Sequence, residues 1–208
     1  MSKNRSLIRR SAATIAAGAA VLVLAACGGS SDNSPGHDGR TTASPSGATS
    51  AAQGQHAAAD VAFAKGMIPH HRQAVDMADL AAPRAQSAEV KKLAADIKKA
   101  QDPEIQTLSG WLTSWGEEVP AEGAMDHSMH GMEGMMSADE MQKLHQASGK
   151  AFDTAFMQMM IKHHEGAVAM AKTEQAGGAY EPAKKMAGDI TTSQTAEITQ
   201  MKKLLGQG

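Results

Sequence analysis

Cysteine is almost absent from this chain: the one thiol in 208 residues is Cys27. Neither a disulfide framework nor a thiolate zinc site can be built from it. Aromatic residues make up only 3% of the sequence, whereas methionine accounts for 15 of the 208 positions. Methionine must therefore do packing that Phe and Leu usually do. No run alternates apolar and polar residues with period two, so strands are not expected. Nor is there an excess of basic charge: 20 Lys and Arg face 22 Asp and Glu, which argues against nucleic acid as a partner.

An uncharged stretch, Ser11 to Ala26, follows Lys3, Arg5, Arg9 and Arg10. It is too short to span a bilayer stably and reads as an export signal over 1–26. Leu24-Ala25-Ala26-Cys27 looks like a bacterial lipobox, an aliphatic residue and two small ones before a cysteine that takes a diacylglyceryl group. Two or more acyl chains anchor lastingly where one does not. The mature chain is thus expected to begin at a lipidated Cys27 and to work outside the cytoplasm, tethered to a bacterial membrane by its lipid. Residues 27–56 are mostly Gly, Ser, Ala, Thr, Pro and Asp with little to bury, a flexible tether by composition.

The remaining 150 or so residues repeat. With an offset of 93, "DVAFAKGMIPHHRQAVDMA" (60–78) aligns without a gap to "DTAFMQMMIKHHEGAVAMA" (153–171), and "KKLAADIKKAQDPEI" (91–105) to "KKMAGDITTSQTAEI" (184–198). Each copy carries two apolar stripes of helical spacing. In the first they are Phe63, Met67, His70, Ala74 and Met77, then Val90, Leu93, Ile97, Ile105 and Leu108. In the second they are Phe156, Met160, His163, Ala167 and Met170, then Met186, Ile190, Ile198 and Met201.

Two helical hairpins, over 57–112 and 137–206, predict an all-α four-helix bundle of ferritin-like layout. Ser137-Ala138-Asp139-Glu140 is a capping box that should start a short extra helix, with Gly149 breaking it from the third long helix. Gly177-Gly178 should end that helix in a left-handed residue, and Pro83 the first. Pro69 costs a backbone bond inside its helix, which should kink or restart there. The crossover, 113–136, could stretch roughly 80 Å at 3.3 Å per residue, about twice the ~38 Å of a 25-residue helix. It can run the length of the bundle and set the two His-His helices antiparallel.

Chemistry concentrates on those helices and on the crossover. Met67 lies one turn before His70 and His71, and Met160 one turn before His163 and His164. An antiparallel crossing near residues 72 and 165 would bring Met67 level with Met170, and Met77 level with Met160. Thioether and neutral imidazole form a soft to borderline donor set that suits Cu(I), with imidazole also serving Cu(II). Core packing alone accounts for a methionine stripe; four histidines buried without partners would be costly. A di-iron enzyme would need Glu-x-x-His, and no Glu lies three residues before these histidines.

The crossover segment "AMDHSMHGMEGMM" supplies Met125, His127, Met129, His130, Met132, Met135 and Met136, a candidate mobile collector of ions. Asp96, Glu104 and their copies Asp189 and Glu197 recur in register. They could orient the histidines as outer acceptors or pair with lysines at the surface.

The two "M-I-x-H-H" helices, the "MDHSMHGM" loop and the segment "FDTAFMQMMIKHHEGAVAMA" resemble the bacterial secreted proteins grouped as domain of unknown function 305, over roughly 57–206. The resemblance implies a duplicated ferritin-like bundle and copper binding or tolerance. The implied positions are Met67, His70, His71, Met77, Met160, His163, His164 and Met170. The function expected is that of a tethered copper-binding lipoprotein, not an enzyme, which sequesters Cu(I) or Cu(II) or exchanges it with copper donor or acceptor proteins. An envelope interaction module with a Met-rich core and a ferritin-like redox enzyme are the alternatives.

Overall fold

The computed structural model describes residues 55–122 and 132–207. Cys27, the signal, the tether up to residue 54 and the crossover positions Met125, His127, Met129 and His130 lie outside them. Six helices and no strands form among the described residues: α1 (Ala58–Asp79), α2 (Ala81–Arg84), α3 (Ala88–Trp115), α4 (Ala138–Gln146), α5 (Gly149–Gly177) and α6 (Glu181–Leu204). The four long ones are α1, α3, α5 and α6. Helices α1 with α3 and α5 with α6 are the two hairpins, and α1 packs on α5 between them. None of the described helices is long and apolar enough to cross a membrane.

Local signals explain most of the boundaries. Ser137 Oγ accepts from Glu140 N while Glu140 Oε2 accepts from Ser137 N, so the capping box forms and α4 starts as predicted. Gly149, with φ of 61°, separates α4 from α5. Other boundaries differ from expectation. Helix α1 does not run to Pro83: it passes Pro69 without restarting and ends at Asp79, and Pro83 lies in the single turn of α2. Helix α3 runs on through Trp115, three residues beyond the expected end of the hairpin at 112, and stops at Gly116 in the left-handed region.

Gly178 ends α5 with φ of −70°, so no left-handed residue is used there. Close approach explains the glycine instead, since a Cβ at Gly178 would lie 2.2 Å from Glu174 Oε1. Glu174 is buried, and burial together with its contact to the Asp60 carboxylate raises its pKa to about 8.

A pseudo-twofold relation holds the hairpins together. Asp60 on α1 accepts from the backbone N–H groups of Ala179 and Tyr180 in the α5–α6 turn. Asp153 on α5 accepts in turn from Gln86 (3.0 Å) and Ser87 (2.9 Å) in the α2–α3 turn. Every residue of the second set is the repeat partner of one in the first. Each hairpin thus ties the turn of the other, which fixes α1 and α5 antiparallel. Burial opposes ionisation of Asp60, but bonds from Ala57, Glu174, Tyr180 and Ala179 outweigh it and keep its pKa below the ordinary value.

Charge-assisted bonds are about twice as strong as neutral ones, and orphaned buried donors cost ~1–3 kcal/mol each. Asp153→Ala is therefore expected to destabilise the fold by about 2–4 kcal/mol in urea denaturation, while a substitution at exposed Asp189 has little effect.

The core has two parts, one on either side of the α1–α5 crossing. Met77, Met136, Met157, Met160, Phe152 and Phe156 belong to one, and Phe63, Met67, Leu108, Leu112 and Ile190 to the other, with Met170 packed against it. Met77 shares one part with Met160, and Met67 shares the other with Met170, a division consistent with the antiparallel register read from the repeat.

Candidate metal centre

The polar residues His70, His71, His163 and His164 lie between those two apolar parts, and all four are fully buried. The stripe spacing puts His70 and His163 on the inner faces of α1 and α5, and the antiparallel crossing brings their rings together, with centroids 3.8 Å apart and planes tilted by 47°. Burial is the main force on their protonation, and the neighbouring imidazoles reinforce it. The pKa of His70 is pushed down to about 3, and that of His163 well below the ordinary value. Both rings are neutral at physiological pH, the form that binds metals.

His71 and His164 are held differently. Their Nε2 atoms lie 2.8 Å from Glu104 Oε2 and 2.6 Å from Glu197 Oε2 respectively. A carboxylate only accepts, so it holds the proton on Nε2 and leaves Nδ1 with a free lone pair. Of the two roles left open by the sequence, Glu104 and Glu197 thus take the contact to the histidines. Asp96 and Asp189 do not: they sit at the surface, paired with Lys92 and Lys185 one turn earlier. Eight residues separate Asp96 from Glu104, which rotates the two side chains about 80° apart around the helix.

Five ring nitrogens are buried without a partner: Nδ1 of His70, His71 and His164, and both nitrogens of His163. Native proteins leave few such atoms unpaired, and water or an ion is the usual partner where they do. Among the described residues, however, no three His, Cys, Asp or Glu side chains are grouped so as to hold an ion alone. A centre of more than two ligands would take donors of another kind, and Met67 and Met160, one turn from the paired rings, are fully buried as well. That donor set fits copper better than zinc or iron.

The crossover is tied by its described ends to α1 beside this centre. Its first part runs beside α1, where Lys65 pairs with Glu117. Arg72 donates to the carbonyls of Pro120 and Ala121 at 2.6 and 3.1 Å. Its last part returns to the next residue of α1: Gln73 Nε2 donates to Met136 O, and Met136 N donates to Gln73 Oε1. Between these ties Glu133 O lies 3.4 Å from His70 Nε2. Met136 is buried, whereas Met132 and Met135 are half-buried.

Glycine makes the seat on α5, because a Cβ at Gly166 would lie 2.1 Å from Glu133 O, and one at Gly134 would lie 2.9 Å from His163 O. Gln73 and Gly166 are repeat partners, so the two copies differ at the position that seats the crossover. Gly166→Val is expected to dislodge residues 132–136 while leaving helicity intact. Limited proteolysis between Glu122 and Met136 should then proceed several-fold faster than in the wild type.

Sequence reasoning passed over Gln73, Gly166 and the buried pair Gln101 and Gln194, whose Oε1 atoms also lack partners. The glutamines recur in register and could have been found from that alone. His145 is exposed, and His56 stacks on Trp115 with centroids 4.5 Å apart.

Residues 60–205 match the family described as domain of unknown function DUF305. The chain belongs to the DUF305 family. A solved DUF305 protein from Streptomyces coelicolor, described as secreted, is 35% identical with a TM-score of 0.65, over 72% of this chain and 91% of that one. A DUF305 fragment from Deinococcus radiodurans is 30% identical with a TM-score of 0.66, over 73% and 98%. CopM in its Cu(II)-bound form is 38% identical with a TM-score of 0.62, over 70% and 94%. CopM also has Cu(I)-bound and Ag-bound forms. No curated protein matches the chain.

Proposed function

We propose that this DUF305 protein is an extracytoplasmic copper-binding lipoprotein that sequesters Cu(I) and Cu(II) or passes them on, with Cu(I) favoured and no turnover chemistry. The observation that carries this reading is the buried pair His70 and His163 with its unpartnered nitrogens, flanked by fully buried methionines. Copper is cargo here. Imidazole nitrogen and thioether sulfur would hold it, Glu104 and Glu197 would keep His71 and His164 in the binding tautomer, and the seated crossover would cover it.

The relatives support the same reading, since CopM is known in Cu(I), Cu(II) and Ag forms at 36–38% identity. The secreted description of the Streptomyces protein agrees with the export signal. The tether rests on the lipobox ending at Cys27. Protein purified from the native envelope is expected to carry copper, and Cys27→Ser to move it from the membrane fraction to the soluble extracytoplasmic fraction. Copper-free protein from copper-replete cells would contradict the first point, and a Cys27→Ser protein still in the membrane fraction the second.

A further inference from the structure

The donors described so far are sealed: His70, His163, Met67 and Met160 expose nothing to solvent. An ion needs a way in, and one place on α1 offers soft donors at the surface. Gly66 lies one turn before His70 and is half-buried. A Cβ there would lie 2.9 Å from the Met170 methyl and 3.3 Å from the Met132 methyl. Two thioethers, one from α5 and one from the crossover, thus converge on the same bare spot of α1, and both are half-buried.

Met132 is also the neighbour of Glu133, whose carbonyl faces His70 Nε2. Met170 borders an open cavity of about 200 Å³, lined with Ala59, Ala62, Phe63, Thr173 and Glu174. The pair is therefore reachable from outside on the Met170 side, and on the Met132 side it adjoins the residue whose carbonyl faces His70. Met132 has no repeat partner in α1 or α5, and the seat at Gly166 and Gln73 holds it on this side of the bundle.

We propose that Met132 and Met170 form a solvent-accessible site for Cu(I), shared between the crossover and the bundle, from which the ion passes to the His70 and His163 pair. Thioethers accept Cu(I) and bind Cu(II) poorly, so the site would admit the reduced ion selectively. The proposal rests on the copper-binding reading but makes separate demands. It requires that these two methionines act together and that they bind before the sealed donors do.

The test is a titration of the full chain, labelled with ¹³C at the methionine methyls, with Ag(I) as a diamagnetic stand-in for Cu(I). The Met132 and Met170 methyl resonances are expected to shift together at the lowest Ag(I) additions. They should still do so in a His70→Leu/His163→Leu variant. Met132→Leu, close to volume-conserving, should weaken the response of Met170 at least tenfold.

Shifts of Met67 and Met160 without Met132 and Met170 would overturn the shared site and leave the copper reading standing. An undiminished Met170 response in Met132→Leu would likewise overturn the sharing. No methyl shift at all would overturn both.

Discussion

A His70→Leu/His163→Leu variant is expected to be more stable than the wild-type apoprotein, by a margin that grows as the pH falls. Both imidazoles have folded pKa values below the ordinary 6.5, His70 at about 3 and His163 well below the usual value, chiefly because burial penalises the charged ring. In the unfolded chain they take up protons near 6.5, so the stability they allow is fully present above that pH. It is lost as the pH falls toward the folded values.

At pH 5 the two rings together cost roughly 3–4 kcal/mol relative to pH 7.5, at 1.36 kcal/mol per pKa unit. Leucine cannot protonate and leaves no buried nitrogen without a partner. Urea denaturation of the metal-free proteins should show the wild type losing stability between pH 7 and 5 and the variant losing far less. Parallel profiles would mean that the rings are not held neutral. Retaining such a costly pair makes sense in a protein whose buried nitrogens have an ion to bind.

Glu104→Gln together with Glu197→Gln is expected to weaken copper binding by about 10–100-fold with little change in helicity. The carboxylates touch Nε2 of His71 and His164 and can only accept a proton. They therefore fix the tautomer that leaves Nδ1 free. A glutamine amide can donate as well as accept, and where it donates, the ring must carry its proton on Nδ1, where the ion would sit. The loss should appear as a higher dissociation constant in competition with a chelator. Asp96→Asn with Asp189→Asn, on the exposed face, should leave that constant unchanged. Equal effects from the two double variants would remove Glu104 and Glu197 from the centre.

Most of the framework was legible because duplication makes a sequence test itself. Any residue recurring at the same offset on an apolar stripe is under a common geometric demand, and that placed Met67, His70, Met77 and their copies before any coordinates. The antiparallel crossing followed from the length of the crossover.

Repetition could not tell Glu104 from Asp96, because both recur and only the rotational phase of α3 decides which faces α1. Where the copies diverge, it fell silent. Gln73 and Gly166 carry the crossover because they differ: the amide ties down Met136, and the missing Cβ admits Glu133. Reading the mismatches as closely as the matches would have flagged this position. The left-handed residue expected after α5 failed for a related reason, since Gly178 is required by the approach of Glu174 and not by its own dihedral angles.

The central claim is that the four buried histidines hold copper, and its most direct test is competition between the protein and a chromophoric chelator for Cu(I), repeated for Cu(II). The wild type should withdraw copper from the chelator. A variant with leucine at His70, His71, His163 and His164 and native helicity should lose all competition for Cu(II) and most of it for Cu(I). A folded variant that competes as well as the wild type for both ions would contradict the account.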